Sequence, residues 1–311
     1  MPVNQRGSAL ISALFIMTLV AIAATAMSTR LQLDIYRTQT LLTSDKIYLA
    51  SQAVTFWAMD TLSQKKVHYS RNKEIGKLLN FPSQLQQAYP GVLIKGALYD
   101  LQALFNINNL LDIKFHPMFF KLLENSLGKG HADEQKKLFQ AINYWITPYR
   151  VGRGRDDFLN YYLTQTNTYL PGFQPLQSIS ELRLIRGFNL KIYQAILPYV
   201  TVLPEVTPIN ILSAPKSLLK SLGNGLKESA VNELIDAGKN KGFDTPEKSH
   251  ELLQKLDINA NLVTTDSQYF LSIAEASSND LSLTTYAVLK RNRDRAGKIM
   301  VGLISESLNS K

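Results

Sequence analysis

The stretch SALISALFIMTLVAIAATAMST, from Ser8 to Thr29, decides the fold of this 311-residue chain. It carries no charged side chain and is bounded by Arg6 and Arg30. A helix crosses the ~30 Å hydrocarbon core of a bilayer with about 20 apolar residues. We therefore predict one membrane-spanning helix at residues 8–29.

The helical pattern continues beyond this apolar stretch. Between Arg30 and Lys66 there is no proline or glycine. The simplest interpretation is one helix from Ser8 to about Lys66, roughly 85–90 Å long. Its first third is apolar all round, whereas the rest is amphipathic and needs a domain to pack on. The apolar positions that recur at helical spacing in this second part are Leu31, Ile35, Leu42, Leu49, Ala53, Phe56 and Leu62.

Two groups of predicted strands flank a long helical region. Residues 91–107 alternate between apolar and polar positions, which predicts two strands or one bent strand. The stretch from Leu262 returns to strand character, with a hairpin loop at Ser277–Asp280. Because an isolated hairpin is marginal in water, we expect the two groups to pair across the helical region. The helices predicted between them are His116–Leu127, Asp133–Ile146, Ser178–Ile185, Lys191–Leu197, Pro215–Leu222, Lys227–Lys239 and Pro246–Leu256.

The predicted fold class is therefore α+β. A long N-terminal helix packs on a small antiparallel β-sheet, and a large all-α domain is inserted between strands. The predicted parts are a leader at 1–7, the helix at 8–66, the first part of the β core at 67–107, the inserted domain at 108–258 and the C-terminal β part at 259–311.

Composition excludes some chemistry and leaves other chemistry open. The chain has no cysteine, which excludes disulfides, thiolate catalysis and cysteine-ligated metal. Its net charge of +9 comes from 34 basic and 25 acidic residues without any long basic run, which favours a solvated surface over a nucleic-acid site. The four histidines show no metal-ligand spacing, and Glu181 fits a capping box with Ser178 better than a catalytic role. We predict no enzyme activity.

The segment ahead of the apolar stretch is short and basic, MPVNQRG. An ordinary secretory signal places its cleavage site after the apolar run, whereas Gly7-Ser8 lies before it. This arrangement resembles the type IV prepilin leader. The resemblance implies cleavage by prepilin peptidase between Gly7 and Ser8, methylation of Ser8 and retention of the helix on the mature protein.

Further motifs occur in a fixed order along the chain. They are LYDLQALFNINNL at 98–110, AINYWITPYRVGRGRDDFLNYY at 141–162, PLQSISELRLIRGF at 175–188, VTVLPEVTPINILSAP at 200–215 and TTDSQYFLSIAEA at 264–276. With the leader, they resemble the minor pseudopilin K subunit of the type II secretion system over essentially the whole chain.

This resemblance implies a pilin-like fold and a function in assembly. The expected protein is a minor pseudopilin at the tip of the pseudopilus, which initiates or caps the fibre and supports protein export across the outer membrane. Its expected partners are the I-, J- and H-type minor pseudopilins, prepilin peptidase, inner-membrane lipid and secreted proteins. It would be anchored once in the bacterial inner membrane, with most of the chain in the periplasm.

The resemblance also implies that Ser12 marks a position at the tip of the fibre. Ser12 is the fifth residue counted from Ser8, where pilin-like subunits usually carry a glutamate that pairs with a neighbour's N-terminal amine. The K family characteristically lacks this glutamate, since a tip subunit has no neighbour above it. The alternative is that Ser12 is simply a tolerated small polar residue.

A calcium site is implied only weakly. In the family, the loop after the tryptophan helix carries acids that bind calcium, an ion that takes six to eight oxygen ligands. Here Asn143 and Thr147 stand where acids would sit, which leaves Asp156 and Asp157. Two adjacent carboxylates beside Arg150, Arg153 and Arg155 more often form a salt-bridged surface turn. Calcium is the one cofactor that the resemblance implies.

Gly223 and Gly225, between two helical stretches, suggest a rival function. They resemble a helix-hairpin-helix, which offers backbone N–H groups to a DNA phosphate, and Lys216, Lys220 and Lys227 lie nearby. The alternative is therefore a membrane-anchored DNA-binding pseudopilin of the competence type. A third class is an anchored periplasmic domain without an assembly role.

Overall fold

In a computed structural model, α1 (Arg6–Ser63) is one continuous helix. The structure describes residues 6–128, 130–149, 157–240, 242–243 and 245–309, without the side chains of 6–8. The later helices are α2 (His116–Leu127), α3 (Ala132–Ile146), α4 (Asp157–Leu163), α5 (Leu190–Ile196), α6 (Lys216–Leu219), α7 (Glu228–Lys239) and α8 (Pro246–Lys255). The strands are β1 (Lys77–Asn80), β2 (Leu93–Asp100), β3 (Phe105–Asn106), β4 (Val200–Thr201), β5 (Ile209–Asn210), β6 (Val263–Thr264), β7 (Tyr269–Ser278), β8 (Leu281–Arg293) and β9 (Ile299–Leu308).

The main sheet is antiparallel and pairs across the helical insertion. Its strand order is β1-β2-β7-β8-β9. β2 pairs with β7 along its whole length, from Leu93 opposite Ser277 to Asp100 opposite Phe270. The expected α+β fold with a large helical domain inserted between strands is therefore confirmed, although that domain is not all-α, since it also contains two short parallel strand pairs.

The second half of α1 packs on one face of this sheet. Its buried apolar residues are Ile47, Ala50, Val54, Ala58 and Leu62, which recur every three or four positions. Alanines at two of these positions let the helix approach the strands closely. The approach is closest at Gly96 of β2, where an added Cβ would lie 2.4 Å from Cγ1 of Val54.

β2 runs alongside α1 in the same direction. Ile94 belongs to the apolar cluster of Ile47 and Ala50, whereas Leu98, further along the strand, belongs to that of Ala58 and Leu62. The last residue of β2, Asp100, therefore lies near the C-terminal end of α1. The inserted helical domain leaves the sheet at that end, away from the apolar stretch.

The inserted domain has its own core. It contains the segments from Phe105 to Val263 and is built around aromatic and aliphatic side chains such as Phe119, Leu123 and Trp145. Phe105 stacks on Phe119 at a ring-centroid distance of 5.6 Å. The short parallel pairs β3–β4 and β5–β6 join distant segments within this domain.

Several local predictions match the structure, and the differences have local causes. The helix predicted at His116–Leu127 has those bounds, whereas the one predicted at Pro215–Leu222 is reduced to α6. β7 and β8 are joined by Asn279 and Asp280, within the predicted hairpin loop, and Asn279 takes a positive φ of 52°. α1 ends at Ser63, close to the predicted end at about Lys66, and a side chain from the sheet, described below, binds the carbonyl of Leu62 there.

Candidate assembly surface and interdomain joint

The first half of α1 has no packing partner within the described chain. Every side chain from Ala9 to Gln39 is exposed, and α1 is the one helix in the described residues that is long and apolar enough to span a membrane. Leu10, Phe15 and Ile22 are among the exposed apolar side chains of this part. This result agrees with the spanning helix predicted at residues 8–29.

A second apolar face continues along α1 outside the predicted membrane span. The sequence suggested that Leu31, Ile35, Leu42, Leu49 and Phe56 lie on the packing face, but all five are exposed. The sheet instead packs on the opposite face of α1, which carries the buried residues described above. Phe56 is 66% exposed in the part of α1 that lies on the sheet. Beyond Thr29, α1 therefore presents an apolar stripe on the side away from the sheet, which we call the open stripe.

The predicted processing residues lie at the start of α1. Gly7 and Ser8 are within the helix, but their side chains are outside the described set. Ser12 lies two turns into the helix, in the exposed apolar part. Cleavage, methylation and the significance of Ser12 therefore remain predictions.

The motif at 98–110 acts through its asparagines, which bind backbone groups of distant segments. Asn108 accepts from the N–H of Leu176 at 2.8 Å and donates to the carbonyls of Leu176 at 3.0 Å and Leu203 at 2.8 Å. Asn109 forms two bonds with the backbone of Thr207, at 2.7 and 2.8 Å. Both asparagines are fully buried, so each bond satisfies a group that water cannot reach. We call this set the asparagine clamp, because it joins three of the sequence motifs.

Glu181 also joins two motifs. Its Oε1 accepts from the backbone N–H groups of Gln177 at 2.7 Å and Ser178 at 2.9 Å, and the predicted capping box with Ser178 is confirmed. Its Oε2 lies 3.4 Å from Nε1 of Trp145, a long contact. Gly172 passes so close that a Cβ there would lie 2.8 Å from the same indole nitrogen.

A polar joint links the sheet to the inserted domain. Asp100, at the end of β2, is buried and receives hydrogen bonds from Ser213 at 2.5 Å and Ser267 at 2.8 Å. Asn210 donates to the same oxygen at 3.0 Å and also to Ser267 at 2.8 Å. The backbone N–H of Gln102 donates to the other carboxylate oxygen at 2.9 Å. Residues from both sides of the insertion therefore meet on one carboxylate.

A second set of contacts ties this joint to the end of α1. Arg291 of β8 donates to the carbonyl of Leu62 and to both carboxylate oxygens of Asp266. Asp266 in turn accepts from the hydroxyl of Tyr69 at 2.8 Å. Burial raises the pKa of Tyr69, so this phenol stays protonated and can donate. The Tyr69 oxygen accepts from the N–H of Ser267, which completes a path from α1 to Asp100.

Sequence reasoning missed the role of Arg291. Within the run LKRNRDR, it reads as one of several solvated charges. The available signal was strand alternation, because Ala287, Leu289 and Arg291 fall on the same buried face of β8.

The predicted calcium residues are only partly described. Asp157 is the exposed first residue of α4, and Asp156 lies outside the described residues. In the described part of the chain, no group of three or more histidine, cysteine, aspartate or glutamate side chains could hold a metal ion. The calcium site remains a prediction.

The Gly223–Gly225 turn acts as a connector between α6 and α7. Its backbone N–H groups are partly used, since Gly225 donates to the carbonyl of Leu222 at 2.9 Å. An added Cβ at Gly225 would lie 3.3 Å from Cδ of Lys121, so the turn packs on α2. Lys220 is paired with Glu228 at 2.5 Å, and Lys216 lies 3.9 Å from the same carboxylate. The DNA-binding role of Gly223 and Gly225 remains a prediction.

Comparison with known proteins agrees with the motif order. A family model described as type II secretion system protein K matches residues 103–205. The type II secretion system protein K of Klebsiella pneumoniae is 30% identical over 228 residues, which is 66% of this chain and 64% of that protein. The putative protein K of Escherichia coli K12 is 30% identical over 213 residues, covering 65% and 63% of the two chains. The matched part thus spans slightly less than two thirds of the length of these relatives.

The fold has a solved counterpart. A chain in the crystal structure of the GspK-GspI-GspJ complex from the type 2 secretion system of enterotoxigenic Escherichia coli superposes with a TM-score of 0.62 at 18% identity. The match covers 88% of this chain and all of that one. The fold is therefore pilin-like, with a large helical insertion. The chain is therefore similar to type II secretion system protein K in sequence over slightly less than two thirds of those relatives.

Proposed function

We propose that this chain is a minor pseudopilin that assembles at the tip of a type II secretion pseudopilus. It joins the I-, J- and H-type minor pseudopilins to initiate or cap the fibre and support protein export. Residues 1–7 form the leader removed by prepilin peptidase, and residues 8–29 form a single inner-membrane anchor. The rest of the chain lies in the periplasm, where exported proteins can reach it. The role is one of assembly and not of catalysis.

One observation carries the tip assignment. The inserted domain leaves the sheet at Asp100, beside the C-terminal end of α1 and away from the predicted anchor. In a fibre built from parallel α1 helices, that end points away from the membrane. A bulky domain at the C-terminal end of α1 obstructs the addition of a further subunit beyond it. The open stripe on α1 stays available to the helices of subunits beside it or nearer the membrane.

The open stripe supports lateral assembly in its own right. It continues past the predicted span, so lipid does not cover all of it. Apolar stripes exposed to water are rare on monomeric proteins and mark contact sites. Leu31, Ile35 and Leu42 repeat at the three-to-four residue spacing by which one helix packs on another.

Cysteine crosslinking tests this proposal directly, because the native chain has no cysteine. Leu42→Cys places one thiol on the open stripe, where the side chain is 64% exposed. Lys239→Cys, exposed at the end of α7, is the matched control. In cells that carry the whole secretion system, we expect Leu42→Cys to crosslink to cysteine variants of the I- or J-type subunits and not to a second copy of itself.

Two outcomes contradict the proposal. Crosslinks between copies of this chain along a fibre would exclude a tip position. Equal crosslinking of Leu42→Cys and Lys239→Cys to the other subunits would mean that the open stripe is not the contact surface.

A further inference from the structure

We propose that Asp100 is a proton-binding group within the joint between the sheet and the inserted domain, and that the folded chain is more stable when Asp100 is protonated. This inference rests on the joint alone and not on the proposed assembly function.

Residues from three separate segments of the chain donate hydrogen bonds to the carboxylate of Asp100. Oδ2 of Asp100 accepts three hydrogen bonds, from the hydroxyls of Ser213 and Ser267 and from Nδ2 of Asn210. Oδ1 accepts one hydrogen bond, from the backbone N–H of Gln102. Asn210 and Ser213 belong to the inserted domain, whereas Ser267 precedes β7 in the returning chain. Asp100 is 1% exposed, so its charge has no direct access to water.

The nearby charged groups are engaged elsewhere. Arg71 donates from Nε to the carbonyl of Ala214 at 2.8 Å and from its Nη2 to that of Ile211. Arg291 is held by Asp266 and by α1, and Tyr69 donates to Asp266. None of the four donors to Asp100 is charged, and among the described residues Asp100 takes part in no ion pair. A buried carboxylate without a cation is costly to ionise.

The joint also contains acceptors for the hydrogen bond that a protonated Asp100 would donate. Ser213 and Ser267 each present a hydroxyl, which can accept a hydrogen bond as well as donate one. A protonated Asp100 can therefore donate from Oδ2 to Oγ of Ser213, whose distance of 2.5 Å already suits a bond between two oxygens. Oδ1 keeps its bond from Gln102. A carboxylate held only by N–H groups would lack such an acceptor.

The direction of the pH effect follows from these contacts. Burial raises the pKa of Asp100 from its usual value to about 6, although the four hydrogen bonds act to lower it. Because the pKa is higher in the folded chain than in the unfolded chain, folding takes up a proton in this range. The stabilising contribution is complete below about pH 4 and is lost as pH rises through about 6. The contribution of Asp100 to the folding equilibrium constant is therefore about tenfold larger at pH 5 than at pH 7.5.

Asp100→Asn tests the proposal because asparagine imitates the protonated acid. It is uncharged, keeps one oxygen for the N–H of Gln102 and can donate from its nitrogen to the hydroxyl oxygens of Ser213 and Ser267, but it cannot accept the hydrogen bond from Nδ2 of Asn210. We expect the unfolding temperature of the full chain in detergent to rise from pH 7.5 to pH 5, and Asp100→Asn to abolish most of that rise. Asp236→Asn, on the exposed surface of α7, is the matched control and should leave the rise unchanged.

Infrared spectroscopy supplies a readout that needs no variant. The carbonyl stretch of a protonated, buried carboxyl group should grow as pH falls through about 6, well above the range in which surface carboxylates titrate. Absence of that band down to pH 5 would overturn the proposal. So would an Asp100→Asn variant that folds and keeps the full pH dependence.

Discussion

Arg291 donates from Nε to the carbonyl oxygen of Leu62 across 2.9 Å, although the two residues are 229 positions apart in the chain. The guanidinium also reaches the carbonyls of Gln64 and Lys65, at 3.2 and 3.4 Å. These are carbonyls at the end of α1, which lack partners within the helix. A positive charge there also complements the negative end of the helix dipole. One buried side chain of the sheet therefore caps the C-terminal end of α1.

Replacing this arginine should destabilise the fold. Arg291→Ala leaves the buried carbonyl of Leu62 without this donor and Asp266 without its ion-pair partner, so we expect the free energy of unfolding to fall by about 3 kcal/mol. Denaturant titration of the full chain in detergent, followed by circular dichroism, measures the change. Arg295→Ala, in the exposed turn between β8 and β9, is the control and should have little effect. Equal losses in the two variants would contradict the assigned role.

Substitution in the asparagine clamp should destabilise the fold by a similar amount. Asn108→Ala removes three hydrogen bonds to the backbone of Leu176 and Leu203 and leaves those buried groups unsatisfied. We expect a loss of about 3 kcal/mol in the free energy of unfolding. Asn160→Ala, on the exposed side of α4, provides the comparison within a helix. A loss below that of the control would show that the clamp contributes little.

The predicted leader can be tested by mass. The position of Gly7 ahead of the apolar stretch predicts that the mature protein begins at a methylated Ser8. Intact-mass analysis of protein extracted from membranes should give that species. A bulky residue in place of Gly7 should block both maturation and secretion. A mature N-terminus beyond residue 25 would indicate an ordinary signal peptide and would refute the pilin-like processing.

The structure also makes DNA binding testable without straining the fold. Gly223 and Gly225 have φ values of +58° and +100°, so bulky substitutions there would disturb the turn itself. We therefore choose Lys227→Ala, which alters a charge near the turn. The full chain should bind duplex DNA no more tightly than an unrelated protein of similar charge. Micromolar affinity that falls steeply with salt and is lost in Lys227→Ala would favour the competence-type alternative.

The Ser12 prediction concerns position in the fibre. An internal pilin-like subunit uses a glutamate at this position to pair with a neighbour's amine. In a tip subunit, Ser12→Glu would place a carboxylate in the apolar part of α1 without that partner, which is unfavourable. We expect no gain in assembly and a modest loss of secretion. Crosslinks between copies of the Ser12→Glu chain would show that the inserted domain does not prevent stacking.

Local signals allowed much of this fold to be predicted. The apolar periodicity of α2 and the Ser178–Glu181 capping box depend on residues within a turn or two of each other, and both match the structure. The expectation that strands would pair across the insertion came from the instability of a lone hairpin, and β2–β7 pairing confirms it.

The contacts that hold the parts together were not predictable in this way. Asp100 and Ser267 are 167 positions apart, and nothing near either residue indicates the other. The prediction of which face of α1 packs on the sheet was wrong for a similar reason. Both of its stripes are apolar, and only the sheet decides which one is buried. The sequence therefore predicts the separate parts better than it predicts the contacts between them.

The direction of β2 along α1 has a mechanical consequence. When a helix is pulled along its axis, a sheet whose strands run beside it is loaded in shear. The hydrogen bonds between antiparallel strands are perpendicular to the strands, so such a load falls on the whole β2–β7 ladder at once and does not open it bond by bond. A pull on the membrane end of α1 is thus shared among the eight residue pairs that link Leu93–Asp100 to β7. The same arrangement that places the inserted domain beside the C-terminal end of α1 also suits this protein to bear traction along the helix axis.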